Sequence, residues 1–187
     1  MEVHVIRHTP VHFDKNRCYG QLDVPLAESF QEDVRKVRTR LKESYDQVFS
    51  SPKTRCIQLA HALDLKQVKV DNNLLELDFG AWEGKLWNEI DQNALNDWMA
   101  DFVNIAPPGG ESFDEMFQRV ATFIQALRKE EFDQVLIITH AGVIRCFWAC
   151  LLDIPLKHLF KIPVGFHELF KFKLKADRQF DSILQFK

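Results

Sequence analysis

Arg7 and His8 stand together at the end of an apolar run, and that pairing is the first sign of chemistry in this chain. Residues 2–6 alternate and then turn continuously apolar, as a strand entering a buried sheet does, so the pair is expected at the strand's C-terminal edge. That edge is where open α/β sheets keep their ligands. Arginine brings a fixed charge on a planar fork of donors, and a neutral imidazole brings a lone pair that can attack. Both suit a phosphoryl group. A lone Arg-His dipeptide is more often a surface charge beside a strand-closing polar residue, because short motifs match by chance. The reading therefore depends on partners elsewhere in the chain.

Three places supply them. Residues 47–49 form a short apolar run ending at Ser50-Ser51-Pro52, and Ser51 before Pro52 reads as a helix cap followed by proline at the first helical position. A helix to about residue 63 would carry Arg55 in its first turn, on the same rim as His8 if the two strands are parallel neighbours. Free amides at that helix start would add to an anion site. Residues 134–139 are the most strand-like run in the chain, continuous and β-branched, and they deliver His140 to a strand end just as residues 2–6 deliver His8. His140 alone would read as a hydrogen-bonded core residue; its placement gains weight because it recurs. Residues 74–84 then hold Glu76, Asp78 and Glu83 among apolar and aromatic neighbours, where a carboxyl pKa can rise toward that of a proton donor. Spacing does not say which of the three it is.

The remaining elements must position these groups. Residues 9–26 read as a loop, punctuated by Pro10, Gly20 and Pro25, whose apolar-aromatic segment 18–26 is built to fold back on something. Residues 28–43 carry a helical apolar stripe, residues 68–70 a third strand, and residues 86–103 a helix with Trp87, Ile90, Leu95, Trp98, Met99 and Phe102, read as core in preference to a substrate wall. Ser112 with Glu115 is a capping box opening a long amphipathic helix, and residues 143–152 form another. Residues 166–173 and 182–186 read as edge strands. This order predicts an α/β fold: one domain over residues 1–187, a three-layer sandwich with a mostly parallel sheet and helices on both faces.

Composition agrees and excludes some partners. A chain of 187 residues, 46% hydrophobic and 27% charged, is large enough for one sizeable core. Its formal net charge of −3 is mixed along the chain and gives no footprint for a nucleic-acid backbone. Cys18, Cys56, Cys146 and Cys150 are scattered without zinc-ligand spacing, no stretch approaches membrane-spanning length, and no secretory leader is evident. The expectation is a cytoplasmic protein with no metal, no cofactor, and a small phosphorylated metabolite as its partner.

The quoted motifs, Arg7-His8-Thr9, Ser50-Ser51-Pro52-Lys53-Thr54-Arg55, the run from Leu75 to Gly84, and Thr139-His140-Ala141-Gly142, together resemble the histidine phosphatase, or phosphoglycerate-mutase-like, superfamily over nearly the whole chain. The resemblance implies that His8 is the phosphorylated nucleophile, Glu76 the proton donor, and Arg7, Arg55 and His140 the phosphate pocket. Two positions depart from the family pattern. Thr9 stands where glycine is common, and Asp14 where mutase-like members tend to carry a phosphate-contacting asparagine, so the first loop must be arranged differently, with Gln21 a candidate contact. Within the superfamily, residues 18–26 and 108–112 look most like the α-ribazole phosphatases of cobalamin nucleotide-loop assembly. For a substrate of that kind Tyr19, Trp82, Trp87 and Trp98 are candidate walls. Alternatives are a broad-specificity phosphatase, a phosphoglycerate mutase, which the short connection from Glu76 to Glu111 disfavours, and a silent phosphate-binding module.

Overall fold

The computed structural model describes residues 1–185. Six strands form its central sheet: β1 (Glu2–Arg7), β2 (Gln47–Ser50), β3 (Val68–Val70), β4 (Gln134–Thr139), β5 (Leu169–Lys173) and β6 (Ser182–Gln185). Their order is β3-β2-β4-β1-β5-β6. The first four run parallel, and β5 and β6 close one edge antiparallel. Five helices cover it: α1 (Phe30–Arg38), α2 (Thr54–Ala62), α3 (Gln92–Ala100), α4 (Phe113–Leu127) and α5 (Ala141–Leu152).

Alternation along the two central strands sorts the core into layers. Val3, Val5, Val135 and Ile137 point to one face and pack with Met116, Val120, Ile144 and Phe147 of α4 and α5. Ile6, Leu136 and Ile138 point to the other and meet Val34, Val37, Leu59 and Ala60 of α1 and α2. With both faces covered the strands read as continuous apolar runs, as they do in the sequence. The expected three-layer α/β sandwich is what forms, in one domain.

Several expected elements have different bounds. The helix foreseen over residues 28–43 is only α1, and the one foreseen over 86–103 is only α3, which Asp91 caps by accepting a hydrogen bond from the Ala94 amide. Ser51 does not cap α2: that helix starts at Thr54 with Lys53 at its cap, and the Ser51 hydroxyl is taken by His140. Residues 166–168 precede β5 instead of belonging to it, and Phe186 of the last foreseen strand lies outside the described residues. The Ser112–Glu115 capping box is present with both of its hydrogen bonds.

Candidate active site

Strand register places the two histidines side by side. Arg7 pairs with Thr139 across parallel β1 and β4, so His8 and His140 leave neighbouring strands at the same level, and the His8 amide donates to the Thr139 carbonyl at 2.9 Å. Beyond them β1 leads toward α1 on one face while β4 leads into α5 on the other. That divergence opens a crevice at the sheet's C-terminal edge. The imidazole rings stand edge to face with centroids 5.2 Å apart. On the other flank of β4, Ser51 bonds the Ile138 carbonyl and brings Arg55, in the first turn of α2, under His140.

Hydrogen bonds fix the protons. His8 Nδ1 lies 2.7 Å from the Thr9 carbonyl oxygen, which can only accept, so Nδ1 carries the hydrogen and Nε2 keeps its lone pair. His140 Nδ1 faces an Arg55 Nη2 donor at 3.3 Å, so its hydrogen sits on Nε2, 2.7 Å from the Ser51 hydroxyl. Burial, and then the Arg55 and Arg7 guanidiniums, hold the His8 pKa well below the usual imidazole value, against the opposing pull of the Thr9 carbonyl. Burial, followed by His8 and the arginines, does the same at His140. Both rings are neutral at pH 7.

The two arginines are anchored yet not exhausted. Arg55 is fully buried; its Nη1 and Nη2 donate to the Leu22 and Gly20 carbonyls at 2.9 and 2.5 Å. Arg7 Nη1 donates to the Val164 carbonyl at 3.0 Å, and its guanidinium lies 3.9 Å from the centre of the Phe166 ring. The Nε atoms of both arginines are buried and without a hydrogen-bond partner among the described residues. A buried charged donor left unpaired is costly, and an anion between them would satisfy it.

Of the three carboxylates, only Glu76 is aimed at this crevice. Both its oxygens accept from the Gly142 amide at 3.2 Å, at the first turn of α5. A Cβ on Gly142 would collide with that carboxylate and with the Met116 side chain, so a larger residue there would displace Glu76 from its place. The Glu76 carbonyl is gripped from two sides, by Gln21 Nε2 at 3.0 Å and Arg119 Nη2 at 3.1 Å. Arg119 also donates to the Asn73 and Leu75 carbonyls and forms a two-pronged bond with Glu111. Asp78 and Glu83 are spent on backbone amides. Gln21, expected as a phosphate contact, instead commits its side chain to the backbone of Glu76.

A small cleft of about 100 Å³ opens beside Glu76, lined by Tyr19, Leu77, Phe79, Phe113, Gly142, Arg145 and Phe160. Tyr19, a candidate wall from the sequence, lines this cleft. Trp82 is not: only 4% exposed, it packs with Cys18, Ile90 and Leu95, and its place as a wall is withdrawn because the loop turns the ring inward. Trp87 and Trp98 meet Phe79 edge to face at 6.0 and 5.7 Å, so they brace that wall from behind. Sequence reading missed Phe160, Arg145 and Phe166; the first lies in a 3-10 turn over Leu156–Lys161 whose periodicity gives no warning. A signal existed for Arg145, five residues beyond His140 on the same helix. A larger cleft, about 420 Å³, lies at the opposite, N-terminal edge of the strands near Leu41, Tyr45 and Leu63.

Both departures are absorbed. Positive φ among non-glycine residues is confined to Asp64, Gln67, Asp153 and His167 of those described, so Thr9 needs no glycine-only backbone. Asp14 is exposed in a turn where it accepts from the Asn16 amide, beside Leu86 and Trp87 and apart from the cleft at Glu76. Among the described residues no three His, Cys, Asp or Glu side chains converge as a metal would need, and no helix is long and apolar enough to cross a membrane.

A neutral histidine with a free ring nitrogen, two guanidiniums with buried and unpartnered Nε donors, and a carboxylate at the start of the helix that follows His140 define a site that handles anions at a parallel sheet's edge. Over residues 3–182 the chain matches the family model of the histidine phosphatase superfamily (branch 1) and belongs to that superfamily, as an enzyme of the phosphatase class. Phosphoserine phosphatase 1 of Hydrogenobacter thermophilus is 28% identical over 81% of this chain and 76% of its own. The fructose-2,6-bisphosphatase of Saccharomyces cerevisiae is 30% identical over 82% of this chain and 35% of its own. The crystal structure of the α-ribazole phosphatase from Shigella flexneri superposes with a TM-score of 0.89 at 24% identity, covering 100% of this chain and 96% of that one.

Proposed function

We propose that the protein is a phosphomonoesterase working through a phosphohistidine on His8. The observation that carries this is the pair of buried, partnerless Nε–H donors on Arg7 and Arg55 beside a neutral His8 whose Nε2 is free to attack. In the first step Nε2 bonds to phosphorus as the ester P–O bond breaks, and the Glu76 carboxyl gives its proton to the departing oxygen. The guanidiniums hold the nonbridging oxygens, where charge collects. Water then attacks the phosphohistidine, its proton passing to the Glu76 carboxylate, and inorganic phosphate leaves with His8 restored. His140 has both ring nitrogens engaged, Nδ1 by Arg55 and Nε2 by Ser51, so as a neutral ring it serves the phosphate pocket by holding the Arg55 guanidinium in place.

For the substrate we infer α-ribazole 5′-phosphate or a close nucleoside-like monophosphate. Tyr19, Phe79, Phe113 and Phe160 supply aromatic faces beside the proton donor, and Phe160 is half-exposed, so a planar base would lie across it instead of being enclosed by the small cleft. Two of the solved structures with this fold carry that activity in their descriptions, a likeness of fold at 24% identity. A second reading, phosphoserine, has one observation in its favour: Arg145 places a guanidinium in the cleft, suited to a carboxylate. A phosphate-release panel with α-ribazole 5′-phosphate, ribose 5-phosphate, phosphoserine and 3-phosphoglycerate decides. The highest kcat/KM for α-ribazole 5′-phosphate is the expected outcome; a preference for phosphoserine would transfer the assignment.

A further inference from the structure

Glu83 makes more backbone contacts than any catalytic role would need. Its carboxylate accepts from the amides of Gly20 at 2.9 Å, Gln21 at 2.8 Å, Leu22 at 3.1 Å and Phe79 at 3.2 Å. Three successive amides of the first loop thus turn to one anion, and the loop is closed tightly enough there that a Cβ on Gly20 would run into the Leu77 carbonyl. The same loop presents the Gly20 and Leu22 carbonyls to Arg55, and the Gln21 side chain to the Glu76 carbonyl.

From this relay we propose that Glu83 is a positioning residue: through the loop at Gly20–Gln21–Leu22 it aims the Arg55 guanidinium at the substrate phosphate and fixes the backbone of Glu76. The role rests on the assignment of Arg55 to phosphate made above. Its physical sense lies in what Arg55 lacks. No carboxylate is paired with this buried cation among the described residues; its hydrogen-bond partners are two carbonyls and His140, and the centre of the Tyr19 ring lies 5.7 Å from it. A carboxylate placed directly on Arg55 would compete with phosphate for the same donors. Glu83 instead binds the N–H side of the loop, while carbonyls of that loop bind Arg55. Peptide dipoles aligned in this way reinforce one another, and the guanidinium charge stays available to a ligand.

The test reads phosphate affinity, which a merely structural residue would leave alone. Inorganic phosphate is used as a competitive inhibitor of p-nitrophenyl phosphate hydrolysis by Glu83→Ala, Glu83→Gln, Arg55→Met and the Glu83→Ala/Arg55→Met double variant, with folding checked by circular dichroism. A misaligned active-site group can cost about 10²-fold. Glu83→Ala is expected to raise the phosphate Ki roughly tenfold or more and lower kcat/KM by about that 10²-fold, with Glu83→Gln intermediate. Coupled residues are non-additive, so adding Glu83→Ala to Arg55→Met should change Ki by less than about twofold. Folded Glu83 variants with unchanged Ki, or losses that multiply in the double variant, overturn the proposal. If Glu83→Ala does not fold, Glu83→Gln decides by the same criterion. An unchanged Ki in Arg55→Met would instead remove the phosphate role of Arg55 itself.

Discussion

The floor of the site and its walls are built by different means. The floor, Arg7, His8, Ser51 and His140, hangs from the ends of three parallel strands, and their register alone decides which atoms meet. The walls, Tyr19, Phe79, Phe160 and Arg145, come from loops, a 3-10 turn and a helix, and are held by side chains that bond backbone. A floor of this kind is set by the fold, so it serves any phosphate ester. Walls of this kind can change with few residues, and the proposed function places substrate choice there.

The sharpest way to break that division is to remove the proposed nucleophile. His8→Ala should cut turnover of every ester by at least about 10³-fold, the scale on which loss of a covalent nucleophile is felt, and abolish trapping of acid-labile, base-stable phosphate on the protein. Turnover that survives for one substrate and not another would place chemistry in the walls. Next comes Glu76→Gln, which should cost about 10²–10⁴-fold for esters with poor leaving groups and less for p-nitrophenyl phosphate, measured as kcat for the two classes. Equal losses would deny it the role of proton donor.

Wall changes should be smaller and selective. If a base stacks on Phe160, worth roughly 1–3 kcal/mol or about 5- to 150-fold in affinity, Phe160→Ala should erase most of the preference for α-ribazole 5′-phosphate over ribose 5-phosphate and leave ribose 5-phosphate nearly untouched. Trp82→Ala is the contrasting case: a buried ring whose loss should cost about 3–5 kcal/mol of stability, read from denaturant unfolding, without altering the preference of the folded enzyme. The smallest effect concerns pH. His8 and His140 have folded pKa values depressed below the usual 6.5, so their contribution to stability is whole above that value. It is lost as pH falls from 6.5 toward the folded values, because only the unfolded chain then takes up protons. The midpoint of thermal unfolding should therefore drop between pH 6.5 and 5, and drop less in His140→Asn; identical slopes would show that His140 is not buried neutral.

The same division explains what could be read in advance. The apolar runs at the ends of residues 2–6 and along 134–139 are a direct consequence of burial on two faces, and they located both histidines, the parallel sheet and the rim shared with Arg55. The capping box at Ser112 and Glu115 was equally legible, because its two hydrogen bonds are local. Trp82 was misplaced because an aromatic in an irregular segment carries no period, and whether it faces core or cleft depends on what Cys18 and Leu95 bring from far along the chain. Phe166 was read as strand for a related reason. Its aromatic character fits β5, yet it leaves the ladder to cover Arg7 and His8, a contact made by the other end of the chain. Ser51 satisfied the local rule for a cap and was claimed by His140 instead, a case of tertiary contact overriding a local preference.

The grip of Arg119 on residues 73–76 has a consequence for how the protein breathes. That stretch has no strand to ladder with; its carbonyls at Asn73, Leu75 and Glu76 all end on one guanidinium, and Glu111 closes the knot by accepting the Asp78 amide. Arg119 and Glu111 belong to α4 and the turn before it, so the segment carrying Glu76, the proposed proton donor, is tied to that helix. In hydrogen exchange the Asp78 amide should join the slow, cooperative class of the helix rather than the fast class of surface loops, and Glu76 would leave its post only when α4 itself unfolds.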